Sequence, residues 1–386
     1  MLKIVVDATP VDSKPSGVGF YVANLICALD VLQKQENFQL GVVYQPGLKN
    51  WLRRDFSFPE SLKHSFQEHL LPLPVRISDL LLALDFKPSL FYFEKYFGSP
   101  DILHGTNYSV YPCQNSLKVM NIYDLTFIKY PNYIDSVVKT YTEKIKRCLQ
   151  WTDSVLTISE SSKKDIIKYL QVDPKKVYVT PLASRYYPNY LSEEIAQRLE
   201  KEANYDFSKP YLLFVSTIEP RKNINTIITA FNFLKEKYKI EHQLILIGKK
   251  GWNYEPIFAA IENSPWANQI HHLNYLSNEL VALFYSKADV FVYPSHYEGF
   301  GLPVLEAMTL GVPVISSNTS SIPEVTGDAA ILVDPNNPIQ LGEAILKVIS
   351  DSQLRQELIN KGKARAKLFS WERTAKETLN AYRSII

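Results

Sequence analysis

Features that define several common classes of protein are scarce or missing in this chain of 386 residues. Cysteine occurs only at Cys27, Cys113 and Cys148, with no C-x-x-C pair, which argues against a disulfide framework and against a structural zinc site. No apolar run approaches the length of a membrane span, and Asp7 breaks the short run in MLKIVVDATP before it could form a signal-peptide core. We therefore expect a cytoplasmic protein in a reducing compartment, with peripheral contact at the inner face of the cell membrane left open.

An excess of charge of one sign is also missing. The chain carries 42 Lys and Arg against 40 Asp and Glu, a formal net charge of +2, so nucleic acid is not expected as its main partner. Its hydrophobic share of 46% is ample for globular packing. Because its length exceeds that of a usual single core, two domains of similar size are the natural expectation.

The stretch 291–315, FVYPSHYEGFGLPVLEAMTLGVPVI, is the most informative part of the sequence. Its apolar start predicts a buried parallel strand that ends at Pro294. The segment from Pro303 to Gly311 predicts a helix, because Pro lies in its first turn and Gly lies just past its end. A second apolar run from Val312 predicts a return to the sheet, so the stretch forms one strand-loop-helix-strand unit.

The loop and the helix start in this stretch carry groups that could bind an anion. The amides of 299–302 lie where N–H groups lack intrahelical partners and where the helix dipole favours negative charge. A carboxylate at Glu298 is unexpected beside an anion site unless it faces another part of the ligand, such as sugar hydroxyls. Glu306 follows about two helical turns later and could reach a more distant part of the same ligand. The alternative is structural, since glutamates near a helix start often only complement the dipole and glycines often only make turns.

The motif EGFGLPVLEAM, with glutamates eight residues apart, resembles the signature of the retaining glycosyltransferases of family 4, which have the GT-B fold of two Rossmann-like domains. The similarity continues through 311–335 and includes the block 153–181 and the sequence EPRKN at 219–223. It implies an α/β protein whose two domains face each other across a cleft, with a C-terminal helix crossing back to the first domain. The expected parts are an acceptor-side domain at 1–185, a linker at 186–208, a nucleotide-sugar domain at 209–368 and the returning helix at 369–386.

The resemblance implies which residues bind a nucleotide diphosphate sugar. Arg221 would grip phosphate oxygens in a fork and Lys222 would add a point charge. Glu298 would hold the donor sugar, and Glu306 would accept hydrogen bonds from the ribose. The expected donor-binding set is Gly17, Gly19, Arg221, Lys222, Glu298, Gly299, Phe300, Gly301, Leu302 and Glu306.

The first half opens with a predicted strand at 2–6, a loop to Ser16 and a helical pattern from Phe20. Gly17-Val18-Gly19 does not predict a dinucleotide cofactor, because Val22 holds the place of the third glycine. Further strands are predicted at 39–44, 101–104, 118–122, 154–158, 177–180, 211–216, 244–248 and 270–276.

Two loops that follow strands of the first half are candidates for the acceptor side, because ligands of open α/β sheets bind beyond the carboxyl ends of strands. The expected acceptor-side residues are His104, Thr106, Asn107, Tyr123 and Asp124. The expected catalytic residues are Glu298, Asp124 and His104. Tyr123 stands where the family usually has His, and a tyrosine donates a hydrogen bond without supplying imidazole chemistry.

The resemblance implies transfer of a hexose, with retention, from a GDP- or UDP-sugar to a saccharide or lipid-linked saccharide acceptor in glycan biosynthesis. No D-x-D occurs in the chain, so neither a metal ion nor another cofactor is expected. Two alternatives remain: a hydrolase or epimerase of nucleotide sugars on the same fold, and a non-catalytic nucleotide-sugar-binding protein. The joint presence of Arg221, Lys222, Glu298 and Glu306 argues against the binding protein.

Overall fold

A computed structural model describes residues 1–11, 17–59, 62, 66–83, 94–131, 141–203 and 205–386. The chain divides into two compact units. The first unit contains the described residues from Met1 to Leu182 together with Ser370–Ile386, and the second contains those of Ala183–Phe369.

The first unit is built on a sheet of seven strands, all paired in parallel. The strand order is β3-β2-β1-β4-β5-β6-β7. The strands are β1 Leu2–Asp7, β2 Phe38–Tyr44, β3 Gln67–Leu70, β4 Ile102–Gly105, β5 Leu117–Asn121, β6 Ser154–Thr157 and β7 Val177–Val179.

The second unit is built on a parallel sheet of six strands in the order β10-β9-β8-β11-β12-β13. Its strands are β8 Tyr211–Val215, β9 Gln243–Ile247, β10 Ile270–Leu273, β11 Val290–Tyr293, β12 Val314–Ser317 and β13 Ala330–Val333. β8, β9 and β11 are apolar almost throughout and largely buried, as expected for central parallel strands.

Helices connect the strands of both units. In chain order, the helices of the described residues are α1 Gly17–Gln33, α2 Leu48–Leu52, α3 Val75–Ala83, α4 Thr126–Lys129, α5 Tyr141–Leu149, α6 Glu160–Leu170, α7 Glu193–Glu202, α8 Ile224–Tyr238, α9 Glu255–Glu262, α10 Asn278–Lys287, α11 Leu302–Leu310, α12 Ile322–Thr326, α13 Pro338–Ser350, α14 Ser352–Ala366 and α15 Trp371–Arg383. None of them combines the length and the apolar character that a bilayer span requires.

Each sheet has a point where the strand order reverses. In the first unit β1 lies between β2 and β4, and in the second β8 lies between β9 and β11. Connections leave neighbouring strands in opposite directions at such a point, which opens a crevice at their carboxyl ends where α/β proteins bind ligands. The loops after β1, β4, β8 and β11 are therefore the first places to search for a site.

Several element boundaries differ from the sequence-based prediction. α1 begins at Gly17 rather than Phe20, so both glycines lie in its first turn. β12 begins at Val314 rather than Val312, because the amide of Val312 donates to the carbonyl of Ala307 and completes the end of α11. β10 ends at Leu273 rather than at residue 276. The sequence also predicts a helix from 136 to 151; α5 covers Tyr141–Leu149 of it, and residues 136–140 lie outside the described residues.

The last helix, α15, belongs to the first unit. It packs on α1, where the rings of Phe20 and Trp371 meet edge to face with 5.7 Å between their centroids. The hydroxyl of Thr374 donates to the carbonyl of Pro181 at 2.6 Å. These aromatic and hydrogen-bonded contacts make α15 part of the fold of this unit.

Candidate active site

The candidate site of the second unit lies at the carboxyl ends of β8 and β11, where two loops are joined side by side. Asn223, in the left-handed conformation with φ of 59°, ends the first loop and starts α8. Its side-chain amide donates to the carbonyls of Pro294 at 3.0 Å and Pro335 at 2.7 Å. The amide of His296 donates to the carbonyl of Arg221 at 3.0 Å. These bonds fix the loop after β8 against the loop after β11.

A cluster of charged side chains lies where these loops meet. Lys222 Nζ is 2.7 Å from Glu298 Oε1, and Arg221 Nη1 is 3.2 Å from Glu298 Oε2. Lys222 Nζ also donates to the hydroxyl of Tyr293 at 2.9 Å, and Arg221 Nη2 donates to Glu219 Oε1 at 2.7 Å. The structure thus brings together three residues that the sequence predicted for the donor site.

Burial makes this cluster electrostatically strong. Glu298 is 7% exposed and Lys222 is 6% exposed. Burial alone would raise the pKa of Glu298, but the charges of Lys222 and Arg221 outweigh it and lower the pKa to about 2. Burial and the charge of Arg221 oppose protonation of Lys222, yet Glu298 and Tyr293 raise its pKa above the ordinary value. Both partners are therefore charged at neutral pH.

The backbone around Glu298 is fixed from a neighbouring segment. The amide of Glu298 donates to Ser320 Oγ at 2.9 Å, and its carbonyl accepts from Ser321 Oγ at 2.9 Å. Gly301 precedes α11 with φ of 100°, and a Cβ there would lie 2.6 Å from Ile322 Cδ1. Glycine is required at this position. The start of α11, with the amides of 299–302, is thus held beside the charged cluster.

Glu306, the second predicted glutamate, lies inside α11 and has a partner that the sequence did not indicate. Its carboxylate is 2% exposed, and Oε1 is 2.5 Å from Arg185 Nε. Arg185 Nη1 donates to Asn278 Oδ1 at 3.1 Å. Burial raises the pKa of Glu306, although the charge of Arg185 opposes the shift. Arg185 gave no sequence signal, because it is a single cation in a stretch broken by tyrosine and proline.

In the first unit, the polar side chains of the predicted acceptor-side loops bond to backbone groups. The hydroxyl of Thr106 donates to the carbonyl of Asp7 at 2.6 Å, and the hydroxyl of Tyr123 donates to the carbonyl of Thr106 at 2.5 Å. Thr106 and Tyr123 are buried. Asp124 is partly exposed and accepts from the amide of Thr126 at 2.9 Å. Asn107 is exposed.

His104 does not fit the catalytic role that the sequence predicted for it. The ring is fully buried, Nε2 is 2.5 Å from Asn121 Oδ1, and the hydroxyl of Tyr382 is 2.7 Å from Nδ1. Both bonds suit a neutral ring that donates to Asn121 and accepts from Tyr382. Burial lowers the pKa of His104 to about 4. The geometry argues against an acceptor-side base and gives the ring a structural role between β4, β5 and α15.

The start of α1 and the end of β1 also lie among the candidate positions of the first unit. Gly17 is exposed and Gly19 is buried in the first turn of α1, whose preceding residues 12–16 lie outside the described part of the chain. Asp7, at the carboxyl end of β1, was not predicted as a site residue. Its carboxylate accepts from the amide of Thr9 at 2.8 Å, and burial raises its pKa. The sequence could have indicated Asp7, because it is the first charged residue after the buried strand predicted at 2–6.

No group of three or more His, Cys, Asp and Glu side chains suited to a metal ion occurs among the residues that the structure describes. The donors of the candidate site are a guanidinium, an ammonium and backbone amides, which suit phosphate oxygens rather than a cation.

Known proteins resemble this chain in sequence. Residues 195–365 match the family model described as glycosyl transferases group 1. The chain is 32% identical over 284 residues to the O-antigen chain mannosyltransferase B of Escherichia coli, covering 73% of this chain and 74% of that relative.

Solved structures show the same architecture. Sucrose-phosphate synthase from Thermosynechococcus elongatus has a TM-score of 0.74 at 21% identity, covering 100% of this chain and 99% of the other. HepE of Anabaena, in a complex with UDP and glucose, has a TM-score of 0.70 at 16% identity, covering 100% of both chains. The two parallel sheets, of seven and six strands, thus form the predicted GT-B fold. The chain belongs to the group 1 glycosyl transferase family and is a glycosyltransferase.

Proposed function

We propose that this enzyme transfers a mannosyl residue from a nucleotide diphosphate sugar to a saccharide or lipid-linked saccharide acceptor, with retention of configuration. The observation that carries the proposal is the buried cluster of Arg221, Lys222 and Glu298 beside the start of α11. The names of relatives support the sugar and the pathway, since the similar Escherichia coli protein is an O-antigen chain mannosyltransferase. The UDP and glucose bound by HepE support a nucleotide sugar donor.

The chemical difficulty is the negative charge that grows on the leaving diphosphate while the sugar becomes positive. Arg221 can bind two phosphate oxygens and Lys222 can add a third charged hydrogen bond. The amides of 299–302 and the dipole of α11 add further stabilisation. Groups that are already held in place stabilise the transition state without reorganisation. These residues do the work that a metal ion does elsewhere, and we propose that no metal ion or other cofactor is required.

Glu298 would change partners when the donor binds. In this cluster, Glu219 and Glu298 balance the charges of Arg221 and Lys222. Each cation that turns toward a phosphate releases one oxygen of Glu298, which can then accept a hydrogen bond from a sugar hydroxyl. Glu298 would in this way place the anomeric carbon close to the acceptor. For the acceptor side we propose Asp124 and Asp7, the carboxylates beside the ends of β5 and β1.

Nucleotide binding and transfer test this proposal together. We expect GDP or UDP at 100 times its Kd to raise the free energy of unfolding by about 2.7 kcal/mol. We also expect GDP-mannose or UDP-mannose to yield an α-mannoside with a mannosyl acceptor. The measurements are thermal unfolding with each nucleotide and mass spectrometry of the products. Arg221→Gln should weaken binding, whereas Arg198→Gln, which removes an exposed cation of α7, should not.

Other outcomes of that experiment select the alternatives. Release of free mannose from the donor at the same rate with and without acceptor would indicate a hydrolase and would contradict transfer. Nucleotide binding without any turnover would support a non-catalytic binding protein. A requirement for Mg²⁺ in transfer would contradict the metal-independent mechanism.

We also propose that the enzyme works at the cytoplasmic side of a membrane, with the first unit in contact with its surface. Leu52 of α2 is 68% exposed and Leu80 of α3 is 60% exposed. Exposed cations accompany them: Lys49, Arg53, Arg54 and Arg76. Apolar side chains beside cations favour binding to anionic lipid.

Binding to phosphatidylglycerol vesicles measures this contact. We expect the double variant Leu52→Glu/Leu80→Glu to bind at least about tenfold more weakly, because two apolar anchors are lost and two negative charges are added. Val31→Glu changes an exposed apolar residue of α1 and should bind as wild type does. Equal binding by the double variant and the wild type would contradict the contact.

A further inference from the structure

Arg185 and Glu306 form an ion pair outside the cluster of Arg221, Lys222 and Glu298. It joins residues 121 positions apart in the sequence, and both lie in the second unit. The carboxylate is almost completely buried, whereas 32% of the Arg185 side chain is exposed. The ion pair therefore has a buried end, the Glu306 carboxylate in α11, and a partly exposed end, the Arg185 side chain.

Only one oxygen of Glu306 is used in this contact. Oε1 accepts from Arg185 Nε, and in the described part of the chain Oε2 has no hydrogen-bond donor. A carboxylate with one oxygen fixed by a cation and the other unused can accept from a hydroxyl in one defined direction. The 2′ and 3′ hydroxyls of a ribose are donors from which such an oxygen can accept.

The Arg185 side chain is itself held in place. Its Nη1 donates to Asn278 Oδ1 at 3.1 Å, at the first residue of α10. The next residue, Tyr186, is 4% exposed and donates its hydroxyl to the carbonyl of Asn278 at 3.1 Å. The segment around Arg185 is thus docked on the start of α10, so the guanidinium is a rigid support for Glu306.

We propose that Arg185 is a positioning residue that holds the Glu306 carboxylate in the orientation that accepts from the ribose hydroxyls of the donor. This inference rests on the proposed function, because it takes the donor to be a nucleotide diphosphate sugar, and it takes Glu306 to accept from the ribose of that donor. It adds a specificity-determining residue, because discrimination between ribonucleotides and deoxyribonucleotides then depends on Arg185. Without the guanidinium, the buried carboxyl would take up a proton or turn away, and it would no longer accept from the ribose as a fixed anion.

The test compares nucleotides that differ only in the ribose. Dissociation constants of GDP and 2′,3′-dideoxy-GDP, and of the UDP pair, are measured by calorimetry for wild type and Arg185→Gln. Wild type should bind the ribonucleotide about ten- to a hundredfold more tightly than the dideoxy analogue, the range expected for hydrogen bonds to a charged group. Arg185→Gln should weaken ribonucleotide binding by most of that factor and leave dideoxynucleotide binding within about twofold.

Two further variants separate positioning from other effects of the substitution. Arg185→Lys retains the charge without the fork and should recover part of the ribonucleotide preference. Arg198→Gln also removes one cation of the second unit and should bind all the nucleotides as wild type does. Circular dichroism of each variant checks that the unit is folded.

The possible results decide between the interpretations. Equal weakening of ribo- and dideoxynucleotides by Arg185→Gln would show a general electrostatic or structural role and would overturn the inference. Tighter ribonucleotide binding by that variant would show that Arg185 competes with the ribose, which also overturns it. If wild type binds GDP or UDP without any preference for the ribose hydroxyls, the inference is wrong and the donor site stands. If wild type binds neither nucleotide, the proposed function and the inference both fail.

Discussion

Glu298→Gln is expected to impair sugar transfer severely and to lower the free energy of unfolding by about 3 kcal/mol at neutral pH. The substitution removes the anion that faces Lys222 at 2.7 Å and Arg221 at 3.2 Å, and it leaves a buried ammonium without its main counter-charge. The amide also cannot act as a charged acceptor for sugar hydroxyls, so kcat/KM should fall by about 10²-fold or more. Steady-state kinetics and denaturant unfolding of the full chain measure the two effects.

The stability effect has a defined dependence on pH. The pKa of Glu298 is lowered from 4.5 to about 2 in the folded chain. A carboxyl with a lowered pKa stabilises the fold fully above pH of about 4.5, and this contribution is lost as the pH falls toward 2. The difference in unfolding free energy between wild type and Glu298→Gln should therefore be constant from pH 6 to 8 and should shrink below pH of about 4.5.

Asp289→Asn is the matched control for Glu298→Gln. Asp289 also belongs to the second unit, where it pairs with Arg355 at 2.8 Å and with His242 at 3.4 Å, away from the charged cluster. This variant should lose stability and keep the kcat/KM of wild type. If Glu298→Gln retained transfer while Asp289→Asn behaved as expected, Glu298 would have no role in the reaction. A stability difference that grew below pH 4.5 would contradict the ionised state of Glu298.

Both sheets were largely predictable from the sequence because central parallel strands are apolar runs between turn residues. Tyr211–Val215 and Val290–Tyr293 are such runs, and both were predicted nearly to the residue. β3, with the sequence QEHL, was missed because it is an edge strand, paired only with β2 and partly exposed. Its polar side chains leave no apolar pattern to read.

The candidate site was predictable where its chemistry is local in sequence. The loop EPRKN and the motif EGFGLPVLEAM each place their charges next to a strand end, so Arg221, Lys222 and Glu298 could be grouped by topology alone. The pairing of Glu298 with both cations was not predictable, because side-chain burial and distance depend on how the loops pack. Asn223, whose left-handed backbone and side chain join those loops, was likewise unpredicted as a support.

Contacts between distant residues could not be predicted from any local pattern. His104 and Tyr382 are 278 positions apart, and Arg185 and Glu306 are 121 apart. A histidine at a strand end suggested a base, but the return of α15 covers that ring and supplies a hydroxyl to Nδ1. A side chain at the carboxyl end of a strand is therefore only a candidate until its burial and its partners are known.

Lys222→Met is expected to lower kcat/KM by about 10²- to 10³-fold, because the charge that stabilises the leaving diphosphate is lost. Methionine keeps the unbranched chain in its buried site, so packing changes little. Glu298 loses its 2.7 Å partner but keeps Arg221, and the cost in unfolding free energy should be about 2 kcal/mol. Lys235→Met, which replaces another buried lysine of the second unit, should keep kcat/KM within about twofold of wild type.

The double variant Lys222→Met/Glu298→Gln shows whether the two residues act as one ion pair. Each single variant leaves a charge buried without its partner, whereas the double variant removes both charges. The double variant should therefore be more stable than the sum of the single effects predicts, by about 1–3 kcal/mol. Its transfer rate should not recover, because stability depends on the balance of the two charges while catalysis needs both groups. Additive stabilities would show that Lys222 and Glu298 are not coupled, and recovered transfer would show that neither residue acts on the substrate.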